Sequence, residues 1–156
     1  PIPGFRRWLD KLAKDDLDGF LTEEERAPLA VRVEGGDWRA LLAQPLAADA
    51  IVAALLKPAL MRLCAVYLFA EKKDGKPIDP VSRFHLGNGA RIERINWLGD
   101  TSAKVMAESA GLMANYVYRQ DDIEANHEAF ASGGPIAAAS RIKRLAAGSP
   151  AVKARG

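Results

Sequence analysis

Asn88-Gly89 constrains this chain more than any other dipeptide in it. The pair is the strongest short-range hairpin signal, because a type I′ turn needs φ > 0 at both central residues, which Asn tolerates and Gly adopts freely. Read as a hairpin, the stretch Asp79–Trp97 puts Val81–Leu86 on the incoming arm and Arg91–Trp97 on the return arm. Alternation then turns Phe84 and Leu86 toward a core, and Val81, Arg83 and His85 the other way. In the two-residue-loop register Arg83 faces Arg94 and His85 faces Ile92. Like charges directly opposite are unfavourable, so either the register slips or an anion sits between them. His85, two residues before the turn, has two readings. It is a half-buried strand histidine satisfied by a carbonyl or water, or a proton-transfer residue, since imidazole titrates nearest neutrality. Spacing does not choose between them.

The remainder limits the class. At 156 residues and 49% hydrophobic, the chain supports one sizeable core and a single domain. A net charge of +2, with acids and bases interspersed, argues against wholesale nucleic-acid binding. The single cysteine, Cys64, lies among Leu60, Met61, Leu63 and Val66 and reads as a core residue; it excludes an internal disulfide and a cysteine-rich metal site. His127 lies beside Glu124 and Glu128 without a third or fourth ligand, so it reads as an exposed helix residue and no metal is expected. Neither phosphate-binding glycine pattern nor a nucleophile elbow is present. Lys57-Pro58 and Arg62 interrupt the apolar runs below membrane-spanning length, and no membrane association is expected.

Most other segments read as helical. Phe5, Trp8, Leu9 and Leu12 recur at helical spacing, and Asp15-Asp16-Leu17-Asp18 with Gly19 reads as a solvated loop. Thr22 and Glu25 form a capping-box pattern that opens a helix to about Leu29, and Asp37 caps a segment with Trp38, Leu41 and Leu42. Pro45 opens an apolar helix through Leu56, Pro58 begins a second carrying Leu60, Leu63, Cys64, Tyr67 and Leu68, and Asp74-Gly75 makes a turn. Ser102–Ala110 is a capped helix closed by Gly111. Leu112–Tyr118 is a strand with Tyr116 and Tyr118 on one face beside Leu112 and Ala114. Asp121–Phe130 and Ile136–Ala146 are the last helices, and residues 148–156 read as a frayed tail. The fold class is α+β: helices, a β-hairpin, a further strand and C-terminal helices.

Several blocks together resemble the last portion of the malonyl-CoA decarboxylase family. They are Pro1-Ile2-Pro3-Gly4-Phe5 with Trp8-Leu9, Leu60-Met61-Arg62-Leu63-Cys64-Ala65 with Tyr67-Leu68, and Asp79-Pro80-Val81 leading to Phe84-His85-Leu86 and Asn88-Gly89-Ala90. Arg94-Ile95-Asn96-Trp97 with Asp100, and Gly111-Leu112-Met113-Ala114-Asn115-Tyr116 with Tyr118, complete the set; beyond about Arg119 the likeness is loose. The resemblance implies that residues 1–156 are the C-terminal part of one catalytic domain related to the GCN5-type N-acetyltransferase fold. It implies conversion of malonyl-CoA to acetyl-CoA and CO₂ with no cofactor beyond the coenzyme A the substrate carries. The family's serine–histidine pair places its histidine on His85 and its serine immediately before Pro1, with the acyl-CoA loop further upstream. Tyr118 matches an active-site tyrosine, and Asn88 matches the motif as a substrate-binding candidate, although a turn role also explains it. The chain, which opens on proline, reads as a fragment expected to be inactive without its upstream portion. A homo-oligomer and a cytoplasmic location are expected. The competing readings are an acyl-CoA-dependent acetyltransferase and a non-catalytic oligomerisation module built on the apolar Pro45–Phe69 segment.

Overall fold

A computed structural model describes residues 1–156. Nine α-helices, two short 3₁₀ segments and two small antiparallel sheets surround one core of 29 buried side chains. The first half is helical: α1 (Phe5–Lys11), α2 (Lys14–Gly19), α3 (Glu23–Ala30), the 3₁₀ segments Trp38–Ala43 and Leu46–Ala48, and α4 (Ala50–Phe69). Then follow β1 (Lys72–Lys73), β2 (Lys76–Pro77), α5 (Pro80–Gly87), β3 (Arg91–Asn96), α6 (Ala103–Ser109), β4 (Met113–Val117), α7 (Ile123–Ala131), α8 (Ser140–Ala147) and α9 (Pro150–Arg155).

Helix α4 is the axis of the core. Leu56, Ala59, Leu60, Leu63, Cys64, Ala65, Val66 and Leu68 are fully buried, which confirms Cys64 as a packing residue. The expected break at Pro58 does not occur. Pro58 and Ala54 both face solvent, so the carbonyl of Ala54 that loses its N–H partner is on the wet side, while buried neighbours hold the helix together. Uninterrupted, α4 is 20 residues long and apolar enough to cross a membrane by length and composition, against the sequence expectation. Here its faces are taken up by α8, α3, α1, β3 and the Leu46–Ala48 turn. Arg62, the one charge in its buried half, meets Glu25 through Nε at 2.7 and 2.8 Å and also donates to the Leu145 carbonyl. Glu25 in turn accepts from the Thr22 backbone N–H at 3.0 Å, completing the predicted capping box while neutralising Arg62.

Other departures have local causes. The acidic loop is helix α2, because Leu17 in its middle is wholly buried and ties it to the core. Asp37 caps the Trp38–Ala43 turn as expected, and Arg39, clamped by Asp37, donates to the carbonyls of Leu9 (3.0 Å) and Leu12 (2.8 Å) that close α1. Residues 136–139 are extended rather than helical. The Ile92 N–H bonds the Ala137 carbonyl (2.9 Å) and the Ala139 N–H bonds the Ile92 carbonyl (2.8 Å), so β3 captures this alanine-rich run before α8 begins. The tail is ordered as α9, anchored by a buried Ser149 hydroxyl that donates to the Phe20 carbonyl at 2.7 Å.

The largest correction concerns Asn88-Gly89. The chain's two-residue hairpin is at Asp74-Gly75, with φ of 54° and 75°, joining β1 to β2. Asn88, with φ of −92°, instead ends a helix. The Ala90 N–H returns to the His85 carbonyl and the Gly89 N–H to the Leu86 carbonyl, both at 3.1 Å, with Gly89 left-handed at φ 87°: a Schellman stop. Asp79-Pro80 supplies the matching start. The Asp79 carboxylate accepts the Ser82 N–H at 2.8 Å, and Pro80 occupies the first turn. Val81–Leu86 is therefore helical, β3 pairs with β4, and Arg83 never faces Arg94, whose partner across the sheet is Asn115. The expected slip or intervening anion is unnecessary.

Candidate active site

Helical spacing reassigns the faces of α5. Ser82 and Leu86 turn inward, one turn apart, while Phe84 is 65% exposed instead of entering the core. His85 lies between these extremes, half-buried and three residues after Ser82, so both present to β4. The imidazole is held there by two tyrosines. Its Nδ1 is 2.8 Å from the Tyr118 hydroxyl, and its plane stacks on the Tyr116 ring with centroids 4.5 Å apart and 17° between planes. Alternation explains why both tyrosines reach it, and the predicted shared face of Tyr116 and Tyr118 is the face that meets His85. With Nδ1 engaged, Nε2 is the nitrogen available to a reacting group.

Each end of α5 is fastened. At its start Asp79 is fully buried, receives the Ser82 N–H, and lies 3.4 Å from the Tyr67 hydroxyl. Burial raises the Asp79 pKa, an effect partly opposed by the backbone N–H groups of Ser82, Gly4 and Val81. Burial, and then the adjacent Asp79 charge, push the Tyr67 phenol well above its usual range, so it remains a donor. Gly4 is required here, since a Cβ would stand 2.1 Å from the Tyr67 hydroxyl oxygen. Pro3, Gly4, Arg7, Trp8, Lys11, Tyr67, Ile78 and Pro80 line one cavity of about 370 Å³, so the leading segment abuts the start of α5. At 1.5 Å per residue His85 is roughly 9 Å along the helix from Asp79. At the other end His127 Nδ1 donates to the Gly87 carbonyl at 2.6 Å and Asn126 donates to the Gly89 carbonyl at 3.1 Å. His127 is thus a cap on the neighbouring helix and not merely an exposed side chain.

The structure brings His85 and Tyr118 together and leaves Asn88 exposed at the C-cap on the next turn, where its backbone N–H bonds the His85 carbonyl but its side chain reaches neither ring. No group of three His, Cys, Asp or Glu side chains is disposed to hold a metal. Sequence reasoning missed Ser82, Tyr116 and Asp79 as site components. The signal was there, because an Asp-Pro start makes Ser82 and His85 neighbours at i,i+3, whereas a strand separates them onto opposite faces.

Comparison with known proteins places the chain in a family. Residues 1–155 match the family model described as malonyl-CoA decarboxylase C-terminal domain. A goose (Anser anser anser) mitochondrial malonyl-CoA decarboxylase is 38% identical over 152 residues, covering 91% of this chain and 30% of that protein. The rat counterpart is 34% identical over 164 residues, covering 94% and 32%. Crystal structures of malonyl-CoA decarboxylase from Rhodopseudomonas palustris (46% identity, TM-score 0.76, 93% of this chain and 31% of that one) and Agrobacterium vitis (42%, 0.77, 94% and 34%) superpose closely. The chain spans about a third of the length of these relatives. It belongs to the malonyl-CoA decarboxylase family, matching its C-terminal domain.

Proposed function

We propose that this chain carries the histidine half of an active site that converts malonyl-CoA to acetyl-CoA and CO₂, the serine half being the residue immediately before Pro1. Breaking the bond to the carboxylate carbon releases CO₂ and leaves the electron pair on a thioester enolate, which must be stabilised and then protonated at carbon. Donors aimed at the developing oxyanion meet the first need, and a positioned imidazole meets the second. The observation that carries this reading is the half-exposed His85 ring, fixed by Tyr118 and Tyr116 with Nε2 unencumbered, on a helix whose start is pinned to the Pro3-Gly4 segment. Tyr118 orients the ring through Nδ1. Asn88, whose backbone ends α5 one turn from His85 and whose side chain is exposed, is kept as a substrate-binding candidate. Coenzyme A arrives with the substrate, and no metal or organic cofactor enters the scheme.

Two finer assignments go with this. The β3–β4 pair leaves one edge of β4 unpaired, which suits a sheet continued by upstream strands in a domain related to GCN5-type N-acetyltransferases. The cytoplasm remains the proposed location, to be checked by cell fractionation, although the curated relatives are named as mitochondrial. The oligomerisation-module alternative is the weaker reading, since α4 turns most of its large apolar side chains into this chain's own core.

The deciding experiment replaces His85 in the full-length protein. His85→Ala is expected to lower kcat for acceptor-free CO₂ release by about 10²–10⁴-fold with an unchanged melting temperature. Turnover near wild type, or product formation that requires an amine acceptor, would discard the reading.

A further inference from the structure

We propose that Tyr116 is a positioning residue for His85: its ring face sets the plane of the imidazole, with the β4 backbone carrying that ring and the Ser82 hydroxyl as a secondary contact. The inference rests on the catalytic reading of His85 above. A hydrogen bond with Tyr118 fixes where Nδ1 lies but leaves the ring free to swing about that contact, because the terminal torsion of a histidine is broad and roughly two-fold. A flat partner 4.5 Å away at 17° removes the swing. The two contacts together leave one orientation, with Nδ1 on Tyr118 and Nε2 free of any hydrogen bond. Tyr116 is itself fixed at two levels. Its backbone lies in β4 opposite Ile92, and its hydroxyl is 2.6 Å from the Ser82 hydroxyl, on a side chain that is fully buried. Ser82 is in turn bound to Asp79 through its N–H, so the helix that carries His85 also carries the anchor for the ring against which His85 stacks. Burial keeps the Tyr116 phenol protonated well beyond the physiological range, which suits a packing surface with a tethered edge.

Two variants of the full-length protein separate ring from hydroxyl. Tyr116→Leu removes the flat face and is expected to lower kcat about 100-fold with KM within about threefold, the signature of a misoriented reacting group. Tyr116→Phe keeps the face and is expected to stay within about fivefold of wild type. In protein labelled with ¹³C-histidine, the His85 ring signal, identified by its loss in His85→Asn, should leave its ring-current-shifted position in Tyr116→Leu and keep it in Tyr116→Phe. If Tyr116→Leu does not melt cooperatively, Tyr116→Met, a flexible apolar filler, takes its place with the same expectations. An unmoved His85 signal in the Leu or Met variant overturns the proposal. So does kcat within twofold of wild type, or a Phe variant as impaired as the Leu one. Failure of the catalytic reading shows differently, as wild-type turnover in His85→Ala while the ring signal still responds to Tyr116→Leu.

Discussion

Helices α4 and α5 solve opposite problems within one core. The first is 20 residues long, apolar on nearly every side, and packed against α8, α3, α1, β3 and the Leu46–Ala48 turn. The second has eight residues, buries only Ser82 and Leu86 of its own, and leaves Phe84 in solvent. A helix so short has little stability of its own. It is ordered because polar groups secure both ends: Asp79 with Gly4 and Tyr67 at the start, His127 and Asn126 at the finish. Burial is the main hold on a structural helix, but a side chain proposed to react has to stay reachable, and α5 is positioned by hydrogen bonds at its ends and by stacking on one face.

That contrast predicts where stability and turnover part company. The largest effect should come from Glu25→Ala, which strands Arg62 between α3, α4 and α8. Removing one partner of such a largely but not fully buried pair costs up to about 3 kcal/mol in urea unfolding, with turnover per folded molecule preserved. A loss of turnover beyond the loss of folded protein would mean that the two helices are not separable. Tyr118→Phe should do the reverse, lowering kcat about 10–100-fold (about 1.4–2.7 kcal/mol of barrier) with an unaltered melting temperature. Gly4→Ala should cost about 1–3 kcal/mol of stability through overpacking against Tyr67, and should impair turnover as well, because the start of α5 moves with it. The smallest effect is a pH slope. Burial raises the Asp79 pKa above its unfolded value, so the folded chain holds that proton more tightly, and stability falls as pH climbs from the ordinary carboxylate pKa through the raised one. Asp79→Asn should lack that slope, so wild type should gain on the variant as pH is lowered, in urea midpoints measured across the acidic range.

The sequence was most legible where one local rule acts without a rival. The Thr22–Glu25 capping box, the Ser102 cap, the Met113–Val117 strand and the buried Cys64 all follow from short-range chemistry. It was least legible where two rules share a signature. Asn-Gly favours left-handed backbone, which serves a hairpin and a helix stop equally, and only the Asp-Pro eight residues upstream breaks the tie. Pro58 and the alanines at 137–139 misled for a different reason, since solvent on one side and an open β3 edge on the other are tertiary facts. The site followed the same division. Resemblance picked out His85 and Tyr118, whereas Tyr116 and Ser82 needed the helix to be recognised first.

The close approach at Gly4 ties residue 4 to residue 67. The Tyr67 hydroxyl oxygen occupies the space a methyl at position 4 would need, and the next ring atom is 3.3 Å from that point. Removing the oxygen therefore opens a route for a side chain that the native ring forbids, and the cost of a change at position 4 should depend on which residue stands at 67. Gly4→Ala should be harmful alone and nearly neutral in a Tyr67→Phe background, so the start of the chain and the end of α4 can change only as a pair.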